Sequence, residues 1–404
     1  MMTRGLALLM ILSAALPAAA QNALPDGAER GTVATVCTAC HDAQRIVSAG
    51  HDRAGWLNVL AMMRNAGAKL PPDKVEPVAD YLARHFPPRA HPEAVVLPGP
   101  VQVSIRDWEA PTPGSRPHDP LAGPDGSIWY TGQMADVLGR VDPAGSVVRE
   151  YRLPQGSGPH GLVADHAGAI WFTANFAGYI GHLDPATGEV KRYPLPDPAA
   201  RDPHTPIFDR AGILWFTVQN ANKVGRLDPA TGEIRLAESP TPHSNPYGMV
   251  IGKDGAPWFA EFGSNKIARI DPATLAIREY DLPDTRSRPR RIATTDDGII
   301  WFTDYSRGYL GRLDPASGKT AEFASPGGPN AQPYGITAIG GTVWYSESGV
   351  SPNTLVRFDP AQSRFQSWTI PSGGGVVRNM MPMGTDRLVL ACSGVNRVAL
   401  VEIR

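Results

Sequence analysis

A hydrophobic-Trp-aromatic triplet recurs at Trp129, Trp171, Trp215, Trp258, Trp301 and Trp344, at separations of 42, 44, 43, 43 and 43 residues. A degenerate seventh copy follows at Leu388-Val389-Leu390. Self-similarity at this period is the signature of a four-stranded propeller blade. The chain is therefore predicted to be an all-β seven-bladed β-propeller over residues 101–404, preceded by a small all-α domain. One unit, read from Gly158, gives strands GPHGLVAD, AIWFTA, GYIGHLD and EVKRYPL, with turns at HAG and DPATG. The Asp, Pro and Gly of DPATG and DPASG suit tight turns, so these aspartates are structural, and the tryptophans pack between blades. After Trp344 only three strands remain before Arg404. Residues Val101–Ala110 (VQVSIRDWEA) can supply the fourth and close the ring, which removes exposed sheet edges. The 42 glycines and 40 prolines fit many short strands joined by tight turns.

The N-terminus has a different character. Arg4, an apolar run from Leu6 to Leu16 and Ala18-Ala19-Ala20 read as a secretory signal peptide over residues 1–20, which predicts export to the periplasm. No other stretch approaches the ~18 apolar residues of a membrane helix. With 38 basic against 39 acidic residues, the net charge of −1 argues against nucleic acid and acidic membrane surfaces as partners. Of three cysteines, Cys37 and Cys40 lie within Cys37-Thr38-Ala39-Cys40-His41, a CxxCH box. On one helical turn both thiols can reach the vinyl groups of a haem while His41 meets the iron, so residues 21–90 are predicted to bind covalent haem c. The alternatives are a disulfide, or a zinc site for which only His51 and His85 are near. Helical periodicity follows at Trp56–Gly67 and at Pro77–Phe86. The stretch resembles small class I cytochrome c modules, and Met63, four residues before Gly67, matches their methionine. By that resemblance Met63 is the sixth iron ligand, ahead of Met62, His51 or His85, and would favour electron transfer with a redox partner protein. A Pro-rich linker, residues 91–100, joins the two domains. The lone Cys392 reads as a small buried hydrophobe.

The residue after the first-strand proline comes round the ring as His118, His160, His204, Tyr247, Arg290 and Tyr334, with Arg378 or a neighbour in the last blade. Inner strands line a propeller's axis, so these side chains should converge at one mouth. The Gly-His and Trp-Asp dipeptides of WD40 repeats are missing. The repeat x-P-[HY]-G-hydrophobic, WFT and K-hydrophobic-G-R instead resembles the virginiamycin B lyase (streptogramin lyase) family over all seven blades. That resemblance implies a Mg²⁺-dependent carbon–oxygen lyase acting on a small cyclic or ester-linked molecule at the mouth. His204 would be the general base, Asp202 a Mg²⁺ ligand, and His160 and Tyr247 substrate contacts. The second acidic ligand of the family is replaced here by Gln219, a weaker Mg²⁺ ligand. Glu261, Asp304 and Glu347, at the ends of second strands, are expected to pair with Arg290 or Arg378. The competing reading is a non-catalytic propeller that serves as a docking or ligand platform for a redox partner of the haem domain. A haem-dependent oxidoreductase would need an open iron site, which ligation by Met63 disfavours.

Overall fold

A computed structural model describes residues 24–404; the expected signal peptide lies outside them. Two compact units are present, a helical one that comprises residues up to Leu60 and Gly67–Arg89, and a propeller unit that comprises Ala90–Arg404 and also takes in Ala61–Ala66. No helix among the described residues is long and apolar enough to cross a membrane.

The helical unit contains a short α-helix, Arg30–Thr32, that continues as a π-wound segment, Val33–Cys37. The helices Gln44–Val47, Arg53–Asn65 and Val75–His85 follow. The last helix buries Val78, Ala79, Tyr81 and Leu82 and leaves Glu76, Asp80 and Arg84 outside, the division expected of an amphipathic helix. Its inner face packs with Val33, Ile46, Trp56, Leu60 and Leu70 in one core. Polar ties secure that core: the Trp56 indole donates to the Phe86 carbonyl at 3.0 Å, and the Tyr81 hydroxyl to the Pro25 carbonyl at 2.5 Å. Arg53 bridges Glu76 and Asp80.

The propeller is seven antiparallel four-stranded sheets. Blade one runs from the inside outward as Pro117–Ala122, Ile128–Gly132, Val137–Asp142 and Val147–Arg152, and the later blades repeat this order. Blade seven takes its three inner strands from Val377–Pro382, Arg387–Cys392 and Arg397–Ile403, and its outer strand from Val103–Glu109. That last pairing runs from Val103 opposite Ile403 to Glu109 opposite Arg397, so the two ends of the propeller sequence close the ring in one sheet.

The repeat residues have structural duties. Trp301 packs with Val343, Tyr345 and Phe358 of the next blade, and Trp344 with Leu388 and Leu390. The Trp171 and Trp215 indoles donate to Asp165 and Asp209 at 2.8 and 2.7 Å, so no buried N–H is left unpaired there. The DPATG aspartates accept backbone N–H groups within their own turns, as Asp184 does from Ala186 at 2.8 Å. Gly225, in a third strand, lies directly opposite Phe216, and a Cβ built on it would stand 2.1 Å from that ring. The Pro-rich segment before the first strand is held along blade six: Glu93 bridges Ser351, and Leu97 exchanges hydrogen bonds with Ser367.

Candidate functional site

All seven inner strands share one irregularity. The first residue pairs with the second strand, and pairing then shifts before the fourth, as between Pro159 and Leu162 or Pro203 and Pro206. Such a bulge frees two residues and re-aims their side chains. The second positions are His118, His160, His204, Tyr247, Arg290, Tyr334 and Arg378; the third positions include Asp119, Thr205, Arg291 and Asn379. The threonine of the WFT triplet clips the bulge. Thr173 Oγ1 accepts the N–H of Gly161 at 2.8 Å and donates to the His204 carbonyl of the next blade at 2.7 Å. Thr131 and Thr217 do the same for the His160 and Tyr247 carbonyls, both at 2.8 Å. Blade four has Ala260 in this place, so the clip to Arg290 is missing.

The clips bring the three histidines into contact. Ring centroids of His118 and His160 are 3.6 Å apart, those of His160 and His204 3.7 Å, and those of His204 and Tyr247 4.0 Å. The histidines are only 2, 4 and 2% exposed. Burial, reinforced by neighbouring arginines, holds all three imidazoles well below their ordinary pKa, so they are neutral. His204 Nδ1 is tied to the Thr205 hydroxyl at 2.9 Å, which leaves Nε2 to act. His160 Nδ1, in contrast, is buried without a partner.

Across the ring, Arg290 lies 3.8 Å from the Tyr334 ring centre, 4.3 Å from Tyr305 and 4.7 Å from Phe262. The Tyr247 and Tyr334 hydroxyls are 2.5 Å apart. Burial pushes the Tyr247 hydroxyl up to about 12. Burial works the same way on Tyr334, yet Arg290, Arg378 and Arg291 bring it down to about 8. Below the ring, Arg291 meets Asp119 at 2.6 Å, and Asp119 also holds His118 Nδ1 at 3.0 Å. Deeper still lies a cavity of about 420 Å³ walled by Leu162, Pro206, Met249, Ile292, Ile336 and Met380.

The structure corrects two expectations. Glu261, Asp304 and Glu347 do not pair with Arg290 or Arg378. Glu261 accepts from Ser239 at 2.5 Å, Glu347 from Ser325 and Thr354 at 2.6 Å, and Asp304 meets Arg307 at 3.1 Å. They stabilise loops between blades. The CxxCH box is not one helical turn either: the winding ends at Cys37, and residues 38–41 form a turn and bends.

Asp202 and Gln219 do not fit Mg²⁺. The Asp202 carboxylate accepts the Asn220 N–H at 2.7 Å, capping the turn, and a neutral carboxamide is the only other ligand offered by the expected set. Among the described residues the group of histidine and acidic side chains close enough to share an ion is His118, Asp119 and His160. Its one carboxylate is already held by Arg291.

The residues of the expected haem site lie as follows in the helical region. Cys37 and Cys40 are free thiols, half-buried and exposed respectively. His41 Nδ1 is held by the Asp42 carbonyl at 3.0 Å, which orients Nε2 for a metal. Met62 and Met63 lie half-buried in the last turn of Arg53–Asn65. His85 packs on Tyr81 at 4.6 Å, and His51 meets the edge of Trp56 at 5.0 Å.

Solved structures share the propeller's fold. A structure of the virginiamycin B lyase from Staphylococcus aureus superposes with a TM-score of 0.68 at 26% identity, over 74% of this chain and 99% of that one. A streptogramin B lyase gives 0.69 at 26%, over 75% and 98%. A catalytically inactive histidine-to-alanine variant of the Staphylococcus aureus enzyme, solved with quinupristin, gives 0.68 at 26%, over 74% and 99%. No curated protein matches the sequence. The profile of the virginiamycin B lyase family matches residues 100–261 and 232–403, which together span the seven blades, and the chain belongs to that family.

Proposed function

We propose that the chain is an exported haem c protein whose propeller mouth is a lyase-type site, with His204 as the proton acceptor. The observation that carries the catalytic part is the state of His204: a neutral, buried imidazole with one nitrogen fixed by Thr205 and the other free toward its neighbours. This imidazole is ready to accept a proton, while the burial and arginines that keep it neutral also lower its basicity, so its position rather than its base strength carries the role. In the reaction proposed, Nε2 takes a proton from the carbon next to the β C–O bond of a small cyclic or ester-linked substrate. The C–H electrons form the alkene, and the C–O electrons leave on the carboxylate. Tyr247 and His160, packed against His204 at tilted angles, hold the substrate and His204 in place. Cys37 and Cys40 would carry the haem thioethers, and His41 and Met63 would hold the iron. Bound there, the haem would supply one-electron transfer to a redox partner.

Two measurements test this reading. Chromatography with tandem mass spectrometry of quinupristin incubated with the holoprotein should show a linear isomer of unchanged mass, and His204→Ala should slow its formation by roughly 10²–10⁴-fold. An unchanged rate in that variant would remove His204 from the chemistry. Denatured protein should retain the absorbance of a covalent haem, and Cys37→Ala/Cys40→Ala should lose it; a colourless wild type would end the haem assignment.

A further inference from the structure

The channel mouth gathers four arginines, Arg291 buried and Arg116, Arg290 and Arg378 part-buried. Arg116 immediately precedes the first inner strand, in a left-handed backbone conformation at φ 57°. Arg290 and Arg378 occupy second positions of their blades, and Arg291 a third. Of these four guanidinium groups, Arg291 is the one with a carboxylate partner among the described residues, Asp119. Among the described residues none pairs Arg116, Arg290 or Arg378 with an acid. Arg378 Nε donates only to the Ser393 hydroxyl, at 3.0 Å. Arg290 Nε and Arg291 Nε are buried with no partner, as is His160 Nδ1; Arg291 is 3% exposed. The arginines also disfavour one another: burial first, then Arg378 and Arg290, brings Arg116 down to about 10. Arg290 donates to the Tyr247 hydroxyl at 3.4 Å, so its polar partner, like that of Arg378, is neutral; guanidinium groups held away from water without an acid are costly unless an anion completes them.

The rim adds an apolar requirement. The turn between second and third strands presents Phe176, Phe262 and Tyr305 in three blades. Phe176 is 45% exposed and packs over Gly158, at the start of the histidine strand. Arg290 is already stacked against Tyr334, Tyr305 and Phe262, so its planar N–H edge is presented to a ligand in a fixed orientation.

We propose that the mouth recognises an organic carboxylate with an apolar or aromatic body, the carboxylate on Arg290 and Arg378 and the body on the aromatic rim. This rests on the mouth being the functional site, as above, and it gives the cluster a task in the lyase reaction: the carboxylate released when the C–O bond breaks is stabilised by guanidinium groups where a metal ion would otherwise serve. His118, Asp119 and His160 accordingly remain metal-free.

The test is calorimetry on the full-length holoprotein at constant ionic strength, with benzoate, its neutral isostere benzamide, inorganic phosphate and MgCl₂ as separate titrants. Benzoate should bind, with benzamide and phosphate each weaker by roughly tenfold or more. Arg290→Gln should weaken benzoate by a similar factor with an unchanged haem spectrum and circular dichroism, and Arg378→Gln serves if the first variant folds poorly. Equal binding of benzamide, preference for phosphate, no anion binding, or saturable Mg²⁺ binding would each overturn the proposal. The titration involves no turnover, so a catalytic failure of His204 is distinguished from failure of the anion site.

Discussion

At the residue scale, the ring of second-position side chains was legible because a repeat of fixed period places equivalent residues at equivalent heights. Asp119, Arg291 and the threonine clips were not. They depend on a bulge that frees a third residue per strand, and a shift of pairing leaves no mark in the hydrophobic pattern. The clip makes Thr173 a positioning residue for His204. Thr173→Val should cost about 1–3 kcal/mol, because the Gly161 N–H and the His204 carbonyl lose their partner. Urea unfolding measures this, and an unchanged midpoint would show that the clip contributes nothing. The neutral histidines also set an acid limit. An unfolded histidine gains a proton near pH 6.5, whereas folded His160, its pKa held low by burial, does not. Stability therefore falls as pH drops through about 6.5, at ~1.4 kcal/mol per pH unit for each such histidine. His160→Gln should make the acid limb of the stability profile shallower by that amount; an identical slope would mean that His160 is protonated in the fold.

At the element scale, the strand order and the closing strand followed from the period and from one leftover segment, Val101–Ala110. The glycine of the third-strand motif had no explanation in the sequence alone. The structure supplies one, since the aromatic of WFT lies across it from the neighbouring strand. Gly225→Ala should overpack that contact and cost about 1–3 kcal/mol, measurable as a lowered unfolding midpoint. A neutral result would mean that Phe216 yields freely. The CxxCH box was legible as a motif but not as geometry. A one-turn helix was the economical reading of CxxCH, but the π-wound segment stops at Cys37, and the sequence contains no breaker there to announce it.

At the scale of the whole molecule, a helical unit with the donor set of a covalent haem precedes a propeller of a lyase family. The propeller's fold was readable because every blade repeats it. The departure of its site from the family pattern was visible only in part. Gln219 is a one-residue signal, whereas the arginine excess emerges when positions 116, 290, 291 and 378 are brought to one mouth from three blades. The account's central claim is a base-driven, metal-independent lyase site. The most direct measurement is the rate of quinupristin ring opening by EDTA-treated holoprotein, before and after Mg²⁺ is restored. The account predicts the same rate in both; turnover that is lost with EDTA and regained with Mg²⁺ would contradict it.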